Sequence, residues 1–240
     1  MLDGKVAIVT GAARGIGRTI SETFAAHGAI VYAMDLRADD LAWTDNFDGV
    51  KAIPLDICDF SAVKNAVMRI KKEVGKIDVL VNNAGLISYE LMQMIDYDKL
   101  RKMFDVNVIA LIYLMQLVSR VMSKVQTGSI INMASMVGEK GAKGQLAYSS
   151  TKGAVIAATK SAAKELAESH IRVNAIAPGM VGTDRFKAVF SEKFSEKIVD
   201  VPFGRLAEPR DVAGLCLYLA SDMSSYMTGQ VIGVDGGLIL

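Results

Sequence analysis

Apolar residues gather along this chain in two alternating ways. Short runs rich in valine, isoleucine and alanine recur at residues 5–10, 30–35, 51–56, 78–81, 129–134, 171–177 and 231–234. Near-continuous apolarity over so few residues reads as strands buried on both faces. The segments between them follow a helical period instead. One runs from Gly17 to about His27, with Gly28 placed to end it. Others span 60–74 behind an N-capping Asp59, 97–125, from Tyr148 to about Glu168, and from Glu208-Pro209 to about Ala220. Residues 183–203 are amphipathic without a strand signal.

Strands alternating with helices predict a parallel sheet joined by right-handed crossovers, with helices on both faces. The expected fold is a doubly wound α/β sheet of the Rossmann type, about seven strands wide, in one domain over residues 1–240. Such sheets bind ligands beyond the carboxyl ends of their strands. Gly11, Asp35, Asp56, Asn82, Ser135 and Pro178 all fall at those predicted ends.

Composition narrows the function classes. The 240 residues carry a net charge of +1, which gives no electrostatic footprint for nucleic acid or an anionic membrane. Cys58 and Cys216 are far apart and read as buried thiols in a reducing, cytoplasmic setting. His27 and His170 are isolated, so neither a histidine metal site nor a Ser-His-Asp triad is expected. The N-terminus enters a strand with no leader-like segment, and no run reaches the ~18 apolar residues of a membrane span. The nearest, 106–118, is broken by Asn107 and Gln116.

The candidate chemistry begins at Gly11-Ala-Ala-Arg14-Gly15-Ile16-Gly17, between the first strand and the first helix. Glycines there allow a tight turn and let backbone N–H groups at a helix N-terminus meet a pyrophosphate. Asp35 ends the second strand, where a carboxylate accepts from a ribose 2′-hydroxyl and repels a 2′-phosphate. Arg14 and Arg37 point the other way, since either cation suits that phosphate. The balance favours NAD(H), with NADP(H) as the alternative. Further on, Tyr148 and Lys152 are four apart and share a helix face, near Ser135 at a strand end. A phenol titrates near ~10 in water, and an adjacent ammonium favours its phenolate. The three groups suit proton transfer at an oxygen.

Along nearly its whole length the chain resembles the short-chain dehydrogenase/reductase family, in its 3-oxoacyl-reductase-like branch. The motifs are Thr10-Gly11-x-x-x-Gly15-x-Gly17, Asp56, Asn82-Asn83-Ala84-Gly85, Asn107, Ser135, Tyr148-x-x-x-Lys152 and Pro178-Gly179 leading to Thr183. The resemblance implies that Tyr148 is the general acid/base, Ser135 orients the substrate oxygen, and Lys152 holds the nicotinamide ribose and depresses the Tyr148 pKa. Asp35 with Leu36 would meet the adenosine ribose, and Asp56 with Ile57 the adenine. Asn83, Ala84 and Gly85 would line the cofactor, and Pro178, Gly179, Val181 and Thr183 its carboxamide side. Asn107 would hold a relay water; a buried structural hydrogen bond explains an asparagine in an apolar helix equally well.

The substrate is less specified. Reductases acting on acyl-carrier protein tend to present basic residues near the active-site entrance, just before strands five and six. Here those stretches read Val125-Gln126-Thr127 and Glu168-Ser169-His170. A small secondary alcohol or ketone is therefore expected, ahead of a 3-oxoacyl thioester with NADP(H); a catalytically silent dinucleotide sensor is the non-enzyme alternative. Residues 183–203 would cover the substrate, with Phe186, Val189, Phe190 and Phe194 as its apolar wall. Met92, Met94, Met136 and Met180 are further candidates for that wall. The helices through 106–118 and 153–163 are apolar on more faces than one sheet contact needs. The resemblance implies that they pair with a second copy, and the last strand with the 238–240 tail suits another contact, giving a homotetramer.

Overall fold

The computed structural model describes residues 1–184, 186 and 200–238. Its centre is a parallel sheet of seven strands in the order β3-β2-β1-β4-β5-β6-β7. The strands are β1 Val6–Thr10, β2 Ile30–Asp35, β3 Val50–Pro54, β4 Val79–Asn82, β5 Gly128–Met133, β6 Ile171–Pro178 and β7 Val231–Val234. Helices α1 Gly15–Ala26, α2 Phe60–Val74, α3 Tyr97–Phe104, α4 Ala110–Met122, α5 Val137–Lys140, α6 Leu146–Leu166 and α7 Pro209–Ala220 complete the layers. One core packs β-sheet residues against α2, α4 and α6; the other packs the opposite face against α1 and α7. This is the doubly wound arrangement that the apolar runs predict. Strand order switches sides between the parallel neighbours β1 and β4, opening a crevice at their carboxyl ends.

Local signals account for most element ends. The Asp59 carboxylate accepts from the Ala62 N–H at 3.0 Å and caps α2. Gly28, with φ at +91°, follows α1 in a backbone region that side chains disfavour. Glu208 and Asp211 form a reciprocal capping box at α7, with Pro209 at its first turn.

Four expectations need correction. Strand three stops at Pro54 rather than Asp56, because the next residues leave the ladder and Asp56 accepts from the Cys58 N–H at 2.8 Å in a turn. The expected helix over 97–125 ends at Met122 and is interrupted by a π-turn at Asp105–Ile109. Its helical stretch, 26 residues from Tyr97 to Met122, is long and apolar enough to cross a membrane, but half of its most apolar window is buried here. Leu111, Leu114, Val118 and Met122 pack into the core, which is why the stretch is apolar. Finally, Leu238 is 3% exposed within its own subunit, so it is not available for the second-copy contact assigned to the tail; residues 239 and 240 lie outside the described residues.

Candidate active site

Two neighbouring cavities open at the carboxyl ends of the strands. The larger, about 680 Å3, is lined by Gly11, Arg14, Gly15, Ile16, Gly17, Asp35, Leu36, Asp56, Ile57, Asn83, Ala84, Gly85 and Thr183 among others. The inner one, about 230 Å3, is lined by Ser135, Tyr148, Lys152, Pro178, Gly179, Val181 and Thr183. Ile16, Asn83, Gly85, Leu86 and Thr183 border both. Every residue assigned from sequence to the cofactor or to catalysis lines this cleft except Asn107.

The crevice is built from β1 and β4. The Thr10 hydroxyl accepts from the Asn83 and Ala84 N–H groups, each at 3.0 Å. The Asn83 amide donates to the Thr10 and Gly11 carbonyls at 2.9 and 3.1 Å, so this side chain shapes the turn. Close approach makes the glycines necessary. A Cβ at Gly17 would sit 2.1 Å from the Gly11 carbonyl oxygen, and one at Gly11, where φ is +66°, would lie 2.8 Å from Ala84 Cα. A backbone cradle at the N-terminus of α1 results, of the kind that meets a diphosphate.

Asp35 stands at the adenosine end. Its carboxylate accepts from the Ala13 N–H at 2.9 Å and from the Leu36 N–H at 2.7 Å. Arg37, which lines the same cavity, pairs with Asp39 and Asp40 at 3.9 and 3.7 Å and not with Asp35. Lys102 and Val106 also line this cavity; sequence spacing gave no sign of them, because they arrive from α3 and the π-turn.

At the inner end, α6 carries Tyr148 and Lys152 past the tip of β5. Lys152 is 4% exposed, donates to the Met133 carbonyl at 2.7 Å, and has no carboxylate partner among the described residues. Its ammonium lies 5.7 Å from the centre of the Tyr148 ring. Burial pulls its pKa down to about 8. Ser135 lies just past β5, and α5 carries the chain from it onto α6. A Cβ at Gly138 would stand 2.8 Å from the Lys152 carbonyl carbon, so glycine lets the two helices touch. Among the described residues, no aspartate or glutamate lines the inner cavity. A buried ammonium, a phenol and a serine hydroxyl thus share an apolar pocket, an arrangement able to deliver and remove a proton at a substrate oxygen.

Asn107 sits behind this pocket, in the π-turn. Its Oδ1 accepts from the Leu86 N–H at 2.7 Å, and its Nδ2 donates to the Leu86 carbonyl at 2.9 Å and to the Thr151 hydroxyl at 3.0 Å. Both amide hydrogens are therefore used structurally, and the side chain is a clamp. Among the methionines, Met136 is buried in the core and lines neither cavity, Met180 lines neither, and Met92 and Met94 are 74% and 73% exposed. Met133, Ile87 and Tyr89 form the wall instead, together with Phe186. Val189, Phe190 and Phe194 lie outside the described residues.

The stretches before strands five and six are also placed differently from the expectation. Thr127 and His170 line a separate cavity at the amino ends of the strands, across the sheet from Ser135 and Pro178. Within one subunit their lack of basic residues has no bearing on the cleft entrance.

Comparison with known proteins agrees with this geometry. A short-chain dehydrogenase family model, described as enoyl-(acyl carrier protein) reductase, matches residues 11–239. A 3-oxoacyl-(acyl-carrier-protein) reductase of Thermotoga maritima is 40% identical, over 100% of this chain and 99% of its own length. The enzymes of the same name from Vibrio harveyi and Chlamydia pneumoniae are 36% and 40% identical, each over at least 98% of both chains.

Proposed function

The chain belongs to the short-chain dehydrogenase/reductase family, oxidoreductases of CH–OH and keto groups with NAD or NADP, and from that premise we propose an NAD(H)-dependent enzyme interconverting a secondary alcohol and a ketone. The observation that carries the reading is the Lys152 ammonium, buried beside Tyr148 without a counter-charge among the described residues, in a cavity that shares Ile16, Asn83, Gly85, Leu86 and Thr183 with the cavity of the glycine cradle.

The residues fit the dinucleotide. Gly11 and Gly17 leave backbone where a Cβ would fill the cradle, and Lys152 has donor capacity left for ribose hydroxyls. When bound, the dinucleotide supplies or accepts the hydride. The chain supplies the rest. Tyr148 gives its phenolic proton to the ketone oxygen during reduction and takes it back during alcohol oxidation. Ser135 donates to the same oxygen and fixes its position. Lys152 favours the phenolate by its charge. The apolar wall of Ile87, Met133 and Phe186 excludes water and strengthens each of these interactions.

NAD(H) is preferred because Asp35 brings to the cavity a carboxylate without an ion-pair partner among the described residues, and a 2′-phosphate there meets like charge. A second reading specifies the ketone as a 3-oxoacyl thioester. The names of the relatives favour it, and so does the apolar wall. The test is one panel of small ketones and 3-oxoacyl thioesters, each with NADH and NADPH. Turnover with NADH ahead of NADPH is expected; cofactor binding without turnover of any member would overturn the enzymatic reading.

We also assign a homotetrameric, cytoplasmic protein. Ile109 of the π-turn and Ile112 of α4 are 47% and 45% exposed, and α6 carries the small, incompletely buried residues Gly153, Ala154 and Ala157, apolar surface suited to a second copy. Light scattering at micromolar protein should give about four subunits, and a monomer would refute the assembly.

A further inference from the structure

α6 is held by two buried Asn–Thr hydrogen bonds, one from the π-turn and one from the sheet. Asn107 donates to Thr151 Oγ1 at 3.0 Å, and Asn132 of β5 donates to Thr159 Oγ1 at 3.0 Å. Both threonines are fully buried. Each hydroxyl donates back into the helix, Thr151 to the Tyr148 carbonyl at 2.8 Å and Thr159 to the Val155 carbonyl at 2.8 Å. The two ties have the same chemistry but different ends. The Thr159 tie leads through Asn132 to Asn82, within the sheet. The Thr151 tie leads through Asn107 to both peptide groups of Leu86, which borders both cavities.

We propose that Thr151 is a positioning residue for the proton-transfer pair, holding the turn of α6 that carries Tyr148 and Lys152 in register with the Leu86 wall of the cleft. The inference rests on the proposed proton-transfer role of Tyr148. The hydroxyl is suited to this by its position. It lies beside Lys152 in sequence, accepts from the clamp and donates to the backbone of Tyr148, so helix and clamp move together. Valine at 151 keeps the shape and loses both bonds, leaving one Asn107 amide hydrogen buried and unpaired. Serine keeps both. Lys152 and Tyr89 are the other titratable side chains that line the inner cavity with Tyr148, so a displaced α6 turn is read mainly through Lys152.

The experiment compares Thr151→Val, Thr151→Ser and Thr159→Val in the full chain. Thermal midpoints monitor the fold, and NADH fluorescence gives cofactor affinity. Ketone reduction and alcohol oxidation are followed against pH. Thr151→Val is expected to lower kcat about tenfold, to leave KM and NADH affinity nearly unchanged, and to move the acid limb of oxidation to higher pH. Thr151→Ser should restore wild-type behaviour, and Thr159→Val should lower the midpoint without moving the pH profile. Equal effects of the two valine variants, an unmoved profile in Thr151→Val, or failure of that variant alone to fold would overturn the proposal. A wild-type protein that turns over no ketone removes the enzymatic reading instead. The ultraviolet difference titration of Tyr148, taken against Tyr148→Phe with NAD bound, then still decides: it shifts in Thr151→Val or the positioning role falls.

Discussion

At the amino ends of β1, β4, β5 and β6, a cavity of about 520 Å3 is lined by Lys5, Asp78, His170 and Arg172. At the carboxyl ends lie the cleft cavities of about 680 and 230 Å3. Size does not separate the two rims; the state of their polar groups does. Lys5 pairs with Asp222 at 3.5 Å, and Asp78 meets Lys76 at 3.0 Å and the Val6 N–H at 2.7 Å. Arg172 donates to the Ser224 hydroxyl and the Ser221 carbonyl at 2.7 and 3.2 Å, joining β6 to the turn beyond α7. These groups hold the fold together. At the opposite rim, among the described residues, Lys152 is buried without a counter-charge, and Asp35 is held by backbone donors without a cation. A buried charge left so costs stability, and a site that binds a ligand is where such a cost persists.

The comparison can be broken by substitution, most sharply at the phenol. Tyr148→Phe should cut turnover by roughly 10²–10⁴ while NADH still binds; retained turnover would remove the distinction between the rims. Asp35→Ala should move the NADH/NADPH preference toward NADPH by roughly ten- to hundredfold, and an unchanged ratio of affinities would show that the carboxylate does not meet the ribose.

Lys152→Met should abolish turnover yet stabilise the cofactor-free protein by roughly 1–3 kcal/mol, measured by urea unfolding. The pH dependence has a fixed sign. The folded chain holds the Lys152 proton less tightly than the unfolded chain, so between about 8 and 10.5 the unfolded form carries more protons and stability rises with pH. That part of the slope should vanish in Lys152→Met. The smallest effect belongs to the other rim. Lys5→Ala removes a largely exposed pair and should change stability by less than ~0.5 kcal/mol, with kcat unchanged; a large loss of turnover would mean that the amino-end cavity communicates with the cleft.

How far the sequence could be read depended on the range of each interaction. Strand and helix periods, the Asp59 cap and the glycine turn are written in neighbouring residues, and those elements appear where the pattern puts them, apart from the end of β3 and the break within the 97–125 helix. The π-turn at Asp105–Ile109 leaves no such trace, because it inserts into a helix without changing the apolar period much. The 3-10 stretch Asp39–Asn46 was not visible either; Trp43 packs there against Phe47 and under Arg18, a contact made across the fold. Met133 rather than Met136 lines the inner cavity, although both are 5% exposed and pack in the core.

By itself the sequence determined the alternation of strands and helices, the glycine cradle, the acid ending β2 and the Tyr148–Lys152 spacing, since each is a pattern over a few residues. Only the tertiary structure decided that Asn107 is a clamp joined to Thr151, that Lys152 lies buried without a counter-charge among the described residues, and that the stretches before β5 and β6 face away from the cleft. Those facts depend on distances between residues far apart along the chain. Hydrogen-bond saturation and desolvation are set by what surrounds a group in space, which local order along the backbone does not encode.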